Sequence, residues 1–123
     1  MLEGERYLSL ATFRRDGREV ATPIWFASDA KALFAFTAAD SGKVKRLRNS
    51  PRARIAACDA RGRVHGPWLE ARAGIVSDSA AIARGLELLR AKYGVLMQVT
   101  DFFSRLSGRY NKRAYLWIAA TGE

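Results

Sequence analysis

The sequence predicts a mainly β fold with a minority of helix: a six-stranded antiparallel barrel carrying one short cationic helix after its third strand and packing helices toward the C-terminus. Three observations predict it. Short apolar runs with two-residue alternation are separated by compact turn signals, and few stretches show helical periodicity. The closing run, KRAYLWIA at 112–119, is apolar on both faces, with Tyr115 and Trp117 on one and Ala114, Leu116 and Ile118 on the other. A domain this small does not sandwich every strand, so that run also predicts a homodimer. With 123 residues, 49% of them hydrophobic, the chain is long enough for one core and too short to expect two, which predicts a single domain over residues 1–123.

Taken in order, YLSLATF at 7–13 is an apolar, β-prone run stopped by RRDG at 14–17, a hairpin turn signal. EVATPIWF at 19–26 is the returning strand, with Val20, Thr22, Ile24 and Phe26 on one face and Ala21, Pro23 and Trp25 on the other. Pro23 cannot donate to a ladder, so the strand is interrupted, bulged or at an edge there, leaving a seam where a ligand lies against backbone. After a turn at 28–31, residues 32–37 form the third strand and deliver the chain into FTAADSGKVKRLRNSPRAR at 36–54. Asp40 or Ser41 caps a helix in that stretch, and Asn49, Ser50 and Pro51 stop it. A fourth strand at 53–58, a turn at 59–63 and a fifth strand at 67–76 follow. Ser77 to Ser79 offer caps for a helix whose Ile82, Leu86, Leu89 and Tyr93 fall at i, i+4, i+7 and i+11, before Gly94 ends it. Thr100 or Asp101 caps a shorter helix ending at 106, and 112–119 is the last strand.

The 21 Lys and Arg against 12 Asp and Glu leave a net charge of +9, which predicts attraction to a polyanion: nucleic acid, an acidic membrane surface or a highly charged cofactor. A single cysteine, Cys58, at the end of an apolar run, excludes a disulfide framework or a Cys-based zinc cluster and reads as a buried structural thiol. With His65 as the one histidine and no clustered carboxylates, neither a protein-built metal site nor a Ser/His/Asp triad is expected. No apolar run approaches the ~20 residues needed to span a bilayer, and the N-terminus lacks a signal-peptide pattern. The expectation is a soluble, cytoplasmic protein with no membrane partner.

The cationic helix has an unusual charge order. Helix starts favour acidic residues, because the unpaired N–H groups make that end partially positive. Here the first turns carry Lys43, Lys45 and Arg46, with Arg48, Arg52 and Arg54 beyond. Two readings stand. A phosphate seated on the Ser41 to Lys43 amides, touched by the Thr37 and Ser41 hydroxyls and neutralised by Lys43, makes the arrangement favourable. Alternatively, this is a solvated basic helix whose Val44 and Leu47 pack inward.

The pieces resemble, in order, the pyridoxamine-5'-phosphate-oxidase-like, FMN-binding split-barrel superfamily. The similarity runs from YLSLATF through RRDG, VATPIWF and FAFTAADSGKVKRLRNSPRARIAACD to RGRVHGPWLEARAGIV. Within it the chain is most similar to the deazaflavin-using branch, coenzyme F420-dependent oxidoreductases found in actinobacteria, through ATPIWF and the T-x3-SGK-V-K-R-x-R-N-x-P segment. The resemblance implies a split barrel and a homodimer with cofactors at the subunit interface. It places Thr37, Ser41 and Lys43 at the family's phosphate-binding positions, and Thr22, Pro23, Ile24 and Trp25 on the strand beneath the ring system. The family's flavin oxidases have an Arg where this chain has Gly42, and a basic residue on the second strand where Phe26 falls. Those departures point away from FMN and from the pyridoxamine-oxidase reaction. F420 carries a phosphodiester and an oligoglutamate tail, for which Lys45, Arg46, Arg48 and Arg52 offer a cationic track.

The implied activity is hydride transfer between F420 and a small electrophilic substrate, conjugated or quinone-like, with no side chain standing out as a catalytic acid. FMN as cofactor, or a flavin or deazaflavin carrier without turnover, is the alternative. A basic barrel binding single-stranded nucleic acid is more remote, since the cations cluster at one helix start and one turn instead of interleaving with aromatics along a strand.

Overall fold

The computed structural model describes residues 2, 4–29 and 32–121. Its strands are β1 (Tyr7–Phe13), β2 (Glu19–Ile24), β3 (Phe26–Asp29), β4 (Ala32–Ala38), β5 (Arg52–Cys58), β6 (Leu69–Val76) and β7 (Arg113–Ala120). Three helices join them: α1 (Gly42–Asn49) after β4, then α2 (Ser79–Tyr93) and α3 (Val95–Leu106), with a 3-10 turn, Tyr110–Lys112, leading into β7. The strands form one antiparallel sheet in the order β2-β1-β5-β6-β7-β4-β3. Its two edge strands, β2 and β3, are consecutive in the chain, so the sheet must curl until its edges approach. Among the described residues no ladder joins them, and the sheet is not closed.

Seven strands replace the six expected because the run at 19–26 divides. β2 pairs with β1 from Phe13↔Glu19 to Leu8↔Ile24, Trp25 leaves the ladder, and Phe26 begins a new pairing with Ala35 of β4. Pro23 sits opposite Ser9 in an edge strand, where its missing N–H breaks no second ladder. The cationic helix accordingly follows the fourth strand.

Two cores result. Inside the curled sheet lie Leu8, Leu10, Ile24, Phe26, Ile55, Leu116 and Ile118, closed by Leu47 of α1. Outside it, Ala27 and Phe34 pack against Leu86, Leu89, Tyr93 and Met97 of the C-terminal helices. Phe26 and Ala27 are neighbours facing opposite cores, as strand alternation requires. The expected apolar face of α2 is the one that packs, with Ile82 at its margin. Asp78 caps α2, accepting from the Ala81 N–H at 2.9 Å. Gly85 is where the helix meets the Phe34 ring, which occupies the space a Cβ would need.

The last helix begins at Val95, not near 101. Gly94 adopts φ 57° and ends α2 while its carbonyl accepts the first bonds of α3, so the two helices share one joint. Asp101 is no cap: it is buried and paired with Arg113 and Arg90. Among the described residues no helix is long and apolar enough to cross a membrane.

Candidate anion and cofactor site

Ser41 occupies the N-cap of α1 in extended backbone, φ −71° and ψ 158°, yet its side chain caps nothing. Its Oγ is buried without a hydrogen-bond partner among the described residues. The first turn has no acidic residue, and the bond from the Lys45 N–H to the Ser41 carbonyl, 3.3 Å, is the first of the helix. The amides of Gly42, Lys43 and Val44 therefore precede any helical acceptor. Val44 and Leu47 are buried and fix which way the helix faces. Lys43 is half-buried; desolvation, followed by the neighbouring Arg46 charge, lowers its pKa. An uncapped, partly positive helix end beside a buried hydroxyl and a half-desolvated ammonium fits an anion.

The other flank of α1 faces the β1–β2 turn across a cleft of about 470 Å³, into which Arg14, Arg15, Arg18, Lys45 and Arg46 look against the single carboxylate of Asp16. That carboxylate accepts from the Arg18 N–H at 3.0 Å and the Arg18 Nε–H at 2.8 Å, bonds that hold its pKa down. Arg46 Nε–H donates to Thr12 Oγ1 at 2.6 Å, and burial, then Arg14, lowers its pKa. A Cβ at Gly42 would stand 2.6 Å from Arg46 Nη1. Glycine there lets the Arg46 guanidinium fold back over the helix start. The three turn arginines were missed as members of the site; the dense RRDGR run was the available signal, and it reads locally only as a turn.

The other expected site residues separate. Thr22 Oγ1 is buried without a partner among the described residues. Pro23 is exposed, with a Cβ built at Gly62 3.5 Å from its ring. Ile24 is buried in the inner core. Trp25 stacks on Tyr93 with centroids 4.4 Å apart and planes 10° apart, so one face of its ring is covered. Thr37 lies opposite Ala114 and lines a different cavity, with Lys112 and Arg113. The structure thus gathers Gly42, Lys45 and Arg46 in one cleft and Thr37 in another, with Ser41 and Lys43 between them in the chain. Arg48 is exposed, while Arg52 lies over the Phe13 ring at 4.1 Å and 3.6 Å from Glu70.

Cys58 is buried and its thiol pKa is pushed up by that burial. His65 Nε2 lies 3.2 Å from Glu5 Oε1. Among the described residues no His, Cys, Asp and Glu cluster could hold a metal ion.

Comparison with known proteins matches this frame. No curated protein matches the sequence. Among solved structures, HutZ, the heme storage protein of Vibrio cholerae, superposes with a TM-score of 0.75 at 13% identity, over 98% of this chain and 85% of that one. A conserved hypothetical protein of Mycobacterium tuberculosis, Rv2991, gives 0.71 at 25% identity over 97% and 75%. A structure described as an F420 reductase gives 0.56 at 20% identity over 98% and 90%. The family model for pyridoxamine 5'-phosphate oxidase matches residues 1–121. With its curled antiparallel sheet and nearly full-length match, the chain belongs to the pyridoxamine 5'-phosphate oxidase family.

Proposed function

We propose that this chain is an F420-dependent oxidoreductase: one deazaflavin-binding domain over residues 1–123, working in the cytoplasm as a homodimer on a small electrophilic, conjugated or quinone-like substrate. The observation that supports this reading is the extent of the cationic surface. It includes the uncapped Ser41 and Lys43 at the start of α1 and, on the other flank of the helix, the cleft where Lys45 and Arg46 face Arg14, Arg15 and Arg18, more than one compact phosphate needs. A phosphodiester followed by a chain of carboxylates matches that extent.

In this reading Ser41, Lys43 and the first amides of α1 hold the phosphate, and Lys45, Arg46 and the turn arginines bind the tail. Thr22 offers a buried hydroxyl without a partner among the described residues. The side chains of Ile24 and Trp25 pack in the two cores, and the Trp25 backbone lies outside both ladders. The strand therefore meets a ring through backbone and Pro23. When bound, the deazaflavin supplies a hydride; the protein's part is to bind, orient and exclude water. The homodimer is supported by large apolar side chains left uncovered, Phe102, Phe103 and Leu106 on α3 and Trp117 on β7.

A second reading, FMN as cofactor or a carrier without turnover, is favoured by one contact. The Arg46 guanidinium lies against Gly42, supplying a compact cation beside the position where the family's flavin oxidases carry an Arg.

The test is a fluorescence titration of the three-tryptophan protein with F420 and, separately, with FMN, on wild type and Lys43→Ala. Expected is tighter F420 binding, weakened about tenfold by Lys43→Ala and progressively by salt. Preference for FMN moves the chain to the flavin reading, and binding of neither overturns both.

A further inference from the structure

Beyond the cationic helix, a cavity of about 400 Å³ opens between the end of β4 and the segment joining α3 to β7, with Phe36, Thr37, Ser104, Lys112 and Arg113 among its walls. Its C-terminal wall has no part in the cofactor reading. The side chain of Arg113 is only 4% exposed. It is clamped between two rings, 4.2 Å from the centroid of Phe36 and 4.5 Å from that of Tyr110. Arg113 Nη2 donates to Ser104 Oγ at 3.1 Å and lies 3.0 Å from Asp101 Oδ1. Arg113 Nη1 is buried with no hydrogen-bond partner among the described residues.

Charge is unbalanced in the same place. Asp101 is shared between Arg113 and Arg90, the latter at 3.5 Å, so two guanidinium groups face one carboxylate. Arg109 and Lys112 add positive charge to the lining and Asp40 opposes it. A buried charged donor left unpaired is unfavourable, whereas a planar guanidinium edge suits an oxoanion. Ser104 Oγ accepts from Arg113, which leaves its own O–H for a further acceptor. Ser107 differs: its hydroxyl is already given to the Ser104 carbonyl at 3.2 Å.

We propose that this cavity is a carboxylate-binding subsite for a small ligand, in which the carboxylate accepts from Arg113 Nη1 and Ser104 Oγ–H while Lys112 neutralises it from the rim. Arg109, Lys112 and Arg113 against Asp40 leave the lining positive, and a carboxylate, unlike inorganic phosphate, brings an organic body to its apolar wall. The Phe36 ring and the Ala38 methyl give the ligand's body an apolar wall.

The test is an NMR titration of the full chain without cofactor, using benzoate and, separately, inorganic phosphate at constant ionic strength. It stands or falls independently of F420 binding because no cofactor is present. Benzoate is expected to give saturable shifts at the amides of Ser104, Lys112 and Arg113 and at Arg113 Nε–H, with a dissociation constant of about 1 mM. Arg113→Lys and Lys112→Gln should each weaken it about tenfold, and Arg61→Gln, a cation of a remote surface turn, should leave it unchanged. Lys112→Gln alters an exposed side chain, so the test survives if Arg113→Lys does not fold. Absence of saturable shifts over 104–113, equal weakening by Arg61→Gln, or phosphate binding as tightly as benzoate overturns the proposal.

Discussion

Tyr93 shows how much of this fold hangs on a single polar atom. Its ring covers Trp25, while its hydroxyl accepts from the Phe26 N–H at 3.0 Å and donates to the Arg6 carbonyl at 2.7 Å. Those bonds tie the last turn of α2 to the start of β3, at the point where the chain crosses from one sheet edge to the other. Burial raises the Tyr93 pKa, keeping the hydroxyl protonated as a donor. Beside it, Lys92 Nζ–H donates to the Phe26 carbonyl at 2.9 Å and sits 3.4 Å from the Phe26 ring centroid, and burial pushes its pKa down to about 8. Tyr93→Phe keeps the stack and leaves the Phe26 N–H and Arg6 carbonyl without their partner. It should cost about 1–3 kcal/mol in chemical denaturation; unchanged stability would mean that water replaces the hydroxyl. The sequence places Tyr93 correctly on an apolar helix face. That its hydroxyl reaches a strand 67 residues away is beyond any local pattern.

Two helix starts, carrying similar residue types, separate by what their side chains do. Asp78 accepts from the Ala81 N–H and fastens α2, whereas the Ser41 hydroxyl at α1 caps nothing. Asp78→Ala should therefore cost about 1 kcal/mol of stability, while Ser41→Ala should leave the thermal midpoint nearly unchanged and weaken cofactor binding in the titration above. Equal losses of stability from the two substitutions would make Ser41 an ordinary cap and remove the strongest local sign of an anion seat. The capping residues themselves were legible, because short polar side chains before an apolar period mark a helix start. Which of the two hydroxyl or carboxylate groups is spent on the helix was not, since both sequences permit it. For the same reason α3 was expected to start too late: Asp101 looks like a cap, and its ion pairs to Arg113 and Arg90 depend on a strand and a helix that local spacing does not bring together.

Across the whole molecule, uncovered apolar surface gathers on α3, where Val95, Leu96, Val99, Phe102, Phe103 and Leu106 are 47–73% exposed. Trp117 is 37% exposed on β7, its ring packed where a Cβ on Gly74 would fall. Exposed apolar area on this scale is characteristic of interaction surfaces, which is why the functional reading includes a second subunit. Sedimentation equilibrium is expected to give about twice the 13.7 kDa chain mass, and Phe102→Glu, which places a charge on that face, should shift the particle toward the single chain. A chain that sediments as a monomer at every concentration would remove the homodimer from the proposed function.

By itself the sequence determined the features that neighbouring residues control. These are the hairpin turn at RRDG, the alternating strands, the packing face of α2, the buried Cys58 and a cationic helix with its apolar side at Val44 and Leu47. Each follows from periodicity, turn chemistry or capping over a few residues. Only the tertiary structure decided that Trp25 is a kink stacked on Tyr93, that the RRDG arginines face Lys45 and Arg46 across one cleft, and that Arg113 lies buried between Phe36 and Tyr110 with one nitrogen unpaired among the described residues. Those outcomes rest on contacts between segments far apart in the chain, which the strand order of the curled sheet creates and which no local pattern encodes.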